Sequence, residues 1–234
     1  MRPKEREFLS IWLLLLALGL FGVSALAVRR MDVRGLPENV SRELTAQEQA
    51  EIIARNSPLT EYVRLSPNVT FPREDAVKKI TVHHMADDIS LERLGEVFAE
   101  EDRRASANYA IDIEGRVALY AEECNRAWTS SSPENDHQAV TIEVANDEIG
   151  GDWHVGDASY ATLVELCTDI CQRNGIEQLV YTGDELGNLT IHKMFNEETE
   201  CPGPYLEGKM PELAREVNQR LAEMAGNKGG GGGG

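Results

Sequence analysis

Side chains able to hold a metal recur at three places in this chain. Thr190-Ile191-His192-Lys193 is followed, nine residues after the histidine, by Cys201-Pro202-Gly203-Pro204. Far upstream, the apolar run Ile80-Thr81-Val82 leads into His83 and His84. One imidazole from that pair, a second from His192 and the thiolate of Cys201 make a donor set suited to zinc. Three protein ligands leave a fourth position for water, the arrangement of a hydrolytic rather than a structural zinc. Neighbouring side chains on a strand point to opposite faces, so only one of His83 and His84 reaches a given ion. The other is free to pack or to hydrogen-bond behind it. Glu143, in Thr141-Ile142-Glu143-Val144, brings a carboxylate on another strand-like run. Its apolar neighbours alternate with it, so the same acid also fits the polar side of a half-buried strand.

Those residues must be carried by ordered elements. Thr45-Ala46-Gln47-Glu48 is a capping box opening a short helix that ends near Asn56. Residues 58–73 read as irregular, with Pro67 and Pro72 as breakers. The β-branched run 79–84 suits a buried strand, and Ser90 caps a helix with Leu91, Leu94, Val97 and Phe98 on one face. Residues 109–112 and 116–120, joined across Gly115, form a hairpin signal. Residues 126–129, 139–145 and 179–181 read as further strands. Residues 159–174 repeat apolar side chains at helical spacing up to Gly175, and Pro211 marks the first turn of a final helix. Strands alternating with helices around a hairpin predict an α/β fold with a central mixed β-sheet flanked by helices. His137 and His154 read as structural or surface residues.

The chain has 234 residues and a formal net charge of −17. Residues 1–34 hold six Lys/Arg and three acids, so the remainder carries 17 basic against 37 acidic side chains. Such a body repels phosphate backbones, which argues against nucleic acid as a partner. It also repels an anionic wall polymer, so affinity for one must come from shape and specific contacts. Residues 8–28 contain no charge. They are long enough to span a bilayer, and the basic start with Ala25-Leu26-Ala27 also fits a signal peptide. In both cases the domain is expected outside the cytoplasmic membrane. Cys124, Cys167, Cys171 and Cys201 lack the density of a disulfide scaffold, and Cys167 and Cys171, four apart on a helical run, are expected as packed free thiols. The expected organisation is a signal or anchor helix at 1–28, a linker with a short helix at 29–57, a catalytic domain at 58–224 and a flexible glycine-rich tail at 225–234.

Five motifs then occur in order: Val82-His83-His84-Met85-Ala86, Ser106-Ala107-Asn108-Tyr109-Ala110-Ile111-Asp112, Asn125-Arg126-Ala127-Trp128, Thr141-Ile142-Glu143-Val144-Ala145-Asn146, and His192 with Cys201-Pro202-Gly203-Pro204. Together they resemble the N-acetylmuramoyl-L-alanine amidase type 2 family over residues 62–221, most closely its prophage and clostridial-type members. That family shares its fold with phage lysozyme-type amidases and peptidoglycan recognition proteins.

The resemblance implies one zinc ion per chain, held by His83, His192 and Cys201. It implies hydrolysis of the amide between the lactyl group of N-acetylmuramic acid and the L-alanine of the peptidoglycan stem, by a monomer. Glu143 falls where relatives carry an essential glutamate. Substrate contacts are expected from His84, Asn108, Tyr109, Trp128 and Asn146. Two departures stand out. Ala107 occupies the place of a tyrosine that assists the water in many relatives. Thr199 stands where a lysine often contacts the oxyanion, so it is expected to act there as a neutral donor, worth roughly half a charge-assisted one. The rival reading, a non-catalytic peptidoglycan-binding module, predicts loss of a ligand at the Cys201 position. A structural zinc domain would need a fourth protein ligand.

Overall fold

A computed structural model describes residues 43–229. The apolar run 8–28, read above as an anchor or signal, lies outside the described residues. Among those described, no helix is long and apolar enough to cross a membrane. The strands are β1 (Thr60–Val63), β2 (Val69–Thr70), β3 (Lys79–His84), β4 (Tyr109–Ile111), β5 (Val117–Leu119), β6 (Arg126–Ala127), β7 (Ala139–Val144) and β8 (Leu189–Ile191). The helices are α1 (Ala46–Arg55), α2 (Leu91–Ala99), α3 (Pro133–Gln138), α4 (Asp157–Asn174) and α5 (Gly203–Gly229). Six strands form one sheet in the order β1-β5-β4-β7-β3-β8, and β2 pairs with β6 in a separate ribbon. The β4–β5 hairpin is antiparallel, while β3, β7 and β8 run parallel. This is the mixed α/β sheet expected.

Alternation along the three central strands sorts their side chains by chemistry. Ile80 and Val82, Val140, Ile142 and Val144, and Leu189 and Ile191 share one face and join the main core. That core is completed by Leu163, Leu166 and Ile170 of α4 and by Leu206, Met210 and Leu213 of α5. The other face carries Thr81 and His83, Thr141 and Glu143, and Thr190. Parallel pairing sets Val82 beside Ile191 and His83 beside Glu143, so the C-terminal ends of β3, β7 and β8 finish together. Ligands of parallel α/β sheets bind at that end of the strands.

Capping chemistry set several boundaries as expected. Thr45 and Glu48 form the capping box of α1, and the Ser90 hydroxyl accepts from the Arg93 N–H to open α2. Helix α1 is more than a spacer: Ile52 enters the core, and Arg55 and Asn56 bond the Glu122 carboxylate. Cys167 and Cys171 are buried free thiols, as expected.

Four expectations are corrected. Residues 58–73 are not wholly irregular, because 60–63 gains a ladder partner in β5 and 69–70 gains one in β6. Residues 179–181 form no strand, since Asn218 and Asn188 side chains take the Leu179 and Val180 N–H groups. Pro211 lies inside α5, whose first turn contains Pro204. That helix continues to Gly229, into the expected tail, because Ala222, Glu223 and Ala225 are strong helix formers.

Arg73 ties the parts around the sheet together. Its guanidinium donates to the carbonyls of Glu123, Asn125, Asp136, His137 and Ala139 at 2.6–3.2 Å. Burial pushes its pKa down to about 10, which still leaves it charged at neutral pH.

Candidate active site

Strand β3 ends in the two histidines, and β8 hands directly to His192 at the start of a short 3-10 turn, His192–Met194. Cys201 follows on the loop that opens α5. One donor atom from each of His83, His192 and Cys201 lies within 4.8 Å of the others. The His83 and His192 rings are 4.7 Å apart, and His83 Nδ1 is 3.7 Å from Cys201 Sγ. The backbone N–H of His84 donates to the same sulfur at 3.4 Å. Gly203 lets this loop close: its φ is +84°, and a Cβ there would meet the Cβ of Trp153 at 2.8 Å. The indole of Trp153 stands edge-on to His84 at 5.1 Å.

The donor set fits a soft-to-borderline divalent metal such as zinc. His83 Nε2 and His192 Nε2 are buried without a hydrogen-bond partner, which is costly unless something else satisfies them. Burial, reinforced by His192, holds the His83 pKa well below its usual range, and burial also lowers that of His192. Both imidazoles are therefore neutral, with a lone pair to give. Burial, with a smaller contribution from Glu143, raises the Cys201 thiol pKa. A neighbouring dication reverses that preference and deprotonates a coordinating thiol.

These groups form one end of a groove of about 420 Å³ that also holds Glu143, Thr199, Trp128 and Arg103. Leu94, Val97 and Phe98 of α2 make an apolar wall. Burial pushes the Glu143 carboxyl up to about 8, against the opposing pull of Arg103. The Thr199 hydroxyl accepts from the Cys201 N–H at 3.2 Å. Trp128 is fixed by its ring N–H donating to Thr70 Oγ1 at 2.9 Å. Among the described residues, four that are not glycine have positive φ: Ala86, Arg104, Ser131 and Trp153. All stand in or beside this region, where strained backbone tends to collect.

The remaining sequence candidates divide. His84 lines the groove, with its Nδ1 lacking a hydrogen-bond partner. Asn108, Tyr109 and Asn146 do not line it, and the polar groups of Asn108 and Tyr109 serve the fold. Asn108 exchanges hydrogen bonds with Thr141 at 3.1 Å and donates to the Ala121 carbonyl. The Tyr109 hydroxyl donates to Glu123 at 2.7 Å and accepts from the Ser57 N–H, so it cannot replace the tyrosine missing at Ala107. Asn146 donates to the Trp153 carbonyl at 2.8 Å and so anchors the loop behind His84. His137 accepts from the Glu74 N–H, and His154 bonds Asp147 at 2.6 Å; neither belongs to the group formed by His83, His192 and Cys201. Sequence reasoning missed Arg103, whose only signal was a basic pair after a run of acids.

Neutral imidazoles, a thiol and a buried carboxyl group thus meet at the C-terminal ends of parallel strands. Residues 73–204 match the N-acetylmuramoyl-L-alanine amidase family model, and the chain belongs to that family. It is a hydrolase of the N-acetylmuramoyl-L-alanine amidase type. No curated protein matches the chain. Solved structures of similar fold include an endolysin N-acetylmuramoyl-L-alanine amidase from Clostridium intestinale. It has a TM-score of 0.50 and 16% identity, over 68% of this chain and 97% of that one. A mutant endolysin from Bacillus subtilis has a TM-score of 0.51 and 16% identity, over 67% and 97%. The catalytic domain of XlyA has a TM-score of 0.51 and 14% identity, over 67% and 97%.

Proposed function

We propose that this amidase is zinc-dependent and acts on peptidoglycan outside the cytoplasmic membrane. It cleaves the amide between the lactyl group of N-acetylmuramic acid and the L-alanine of the stem peptide. The observation that carries this reading is the convergence of His83, His192 and Cys201 in a groove that also contains Glu143. The three would hold the metal, which when bound would acidify a water and polarise the scissile carbonyl.

Glu143 takes a proton from the attacking water and passes it to the departing nitrogen. The products are a lactyl carboxylic acid and a free L-alanine amine. Burial keeps Glu143 protonated near neutrality in the metal-free chain, and a positive ion nearby would draw its pKa back down. Thr199 offers a neutral hydroxyl toward the oxyanion, while Trp128 and His84 present flat surfaces to the substrate. The uncharged run 8–28 supports export or anchoring.

Mass spectrometry of products from defined peptidoglycan, with and without a chelator, tests the proposal. Release of intact stem peptides with a free L-alanine terminus, abolished by chelation and restored by zinc, is the expected result. Cleavage at a sugar or peptide–peptide bond, or turnover indifferent to chelator, would overturn it.

A further inference from the structure

His84, the second histidine at the end of β3, lines the groove but is not one of the three grouped donors. Besides its flat face it has an edge nitrogen to offer. Resting on the amidase reading, we propose that His84 is a further catalytic residue. With its Nδ1–H turned to Asn146, its Nε2 lone pair accepts the N–H of the scissile amide.

Parallel pairing sets His84 beside Val144, so Asn146, two residues on, follows on the same side of the sheet. Asn146 is fully buried, and its amide nitrogen donates to the Trp153 carbonyl at 2.8 Å, which fixes the end of the amide that carries oxygen. That oxygen is left without a hydrogen-bond partner, and so is the buried His84 Nδ1. One is an acceptor and the other can donate, so a proton on Nδ1 lets each satisfy the other. Burial lowers the His84 pKa, and the Asn146 side chain opposes it, as an oxygen facing an imidazole N–H does. A neutral ring with its proton on Nδ1 keeps a lone pair on Nε2. That nitrogen is not sealed in as Nδ1 is, and it opens to the groove. Trp153, edge-on at 5.1 Å, holds the plane of the ring, and the His84 N–H on Cys201 Sγ at 3.4 Å holds its backbone.

Glu143 pairs with His83, one step before His84, so His84 and Glu143 leave the sheet on opposite faces and border the groove from two sides. An amide bound between them has one N–H to place. When hydroxide adds to its carbonyl, the nitrogen becomes pyramidal and its lone pair points away from that N–H. Holding the N–H on His84 therefore turns the lone pair toward Glu143, which delivers the proton that frees the amine. Asn146 acts through His84 and is a positioning residue.

The test pairs a muramoyl-peptide amide with its ester analogue, in which oxygen replaces the scissile N–H. His84→Phe keeps a flat ring beside Trp153 and removes the nitrogen. It is expected to lower the amide-to-ester ratio of kcat/KM by about tenfold, the scale of one hydrogen bond, with zinc content unchanged. Asn146→Ala should lower the same ratio, whereas a purely structural loss would slow both substrates alike. Nitrogen-15 NMR of the metal-free parent reads the His84 tautomer and needs neither turnover nor a variant; the proton is expected on Nδ1. A proton on Nε2, or an unchanged ratio in folded His84→Phe, overturns the proposal while leaving the amidase reading intact. A parent that carries the Nδ1 proton and cleaves neither substrate overturns the amidase reading and, with it, the amide N–H as the group His84 accepts.

Discussion

His83 and Glu143 face each other across the β3–β7 pairing, one register step from the ends of both strands. Because they are direct partners on parallel strands, their side chains leave the sheet on the same side. An imidazole and a carboxyl group are thus set side by side by backbone hydrogen bonds, with no loop between them.

Glu143→Gln keeps the shape of that pair and removes the base. Zinc content by elemental analysis is expected to stay at the parent level, while kcat falls by about 10²–10⁴-fold. Near-normal turnover would remove Glu143 from the chemistry.

Cys201→Ser should abolish metal retention after dialysis, because a hydroxyl is a far poorer donor to zinc than a thiolate. Full occupancy in that variant would mean that a different ligand set is in use.

Glu143 also predicts a pH signature in the metal-free protein. Its folded pKa of about 8 exceeds the usual carboxylate value, so the folded state holds the proton more tightly than the unfolded one. Its contribution is therefore intact below pH ~4.5, declines as pH rises and is lost above pH ~8. Thermal melts in chelator should show Glu143→Gln gaining on the parent across that window. A constant difference between the two proteins would contradict the buried carboxyl.

Tyr109→Phe separates scaffolding from catalysis. Loss of the hydroxyl strands the Ser57 N–H and weakens the Glu123 network, at a cost of about 1–3 kcal/mol in denaturant unfolding. The kcat/KM of the folded variant should remain close to the parent's, and a large loss would return the tyrosine to the mechanism.

Arg73→Met should cost at least about 3 kcal/mol, since five carbonyls lose a charged donor together. Urea melts measure it. A change under 1 kcal/mol would mean that water takes the arginine's place, at the low end of such penalties.

The parts legible in the sequence were those fixed by local rules. Ser90 and Thr45 announced their helices through capping, and the run 79–84 announced β3 through its β-branched residues. The histidine pair, His192 and Cys201 were distinctive by type and spacing. Which member of a strand pair faces the groove was harder, because alternation gives two faces but not their surroundings. Asn108 and Tyr109 occupy adjacent positions in a site-like motif, yet one supports Thr141 and the other the Glu123 network. Residues 179–181 have strand composition, but distant asparagines capture their backbone. Arg103 and Arg104 become visible only when the turn after α2 brings them against Trp128 and Thr129.

The two-sided chemistry of β3, β7 and β8 bears on how such a protein changes over time. Its greasy side is locked to α4 and α5, while the reactive side carries almost none of that packing. A lineage could therefore discard the sulfur donor or the proton acceptor and still inherit a sound scaffold. What survived would grip wall fragments without cutting them, turning a tool of demolition into a sensor.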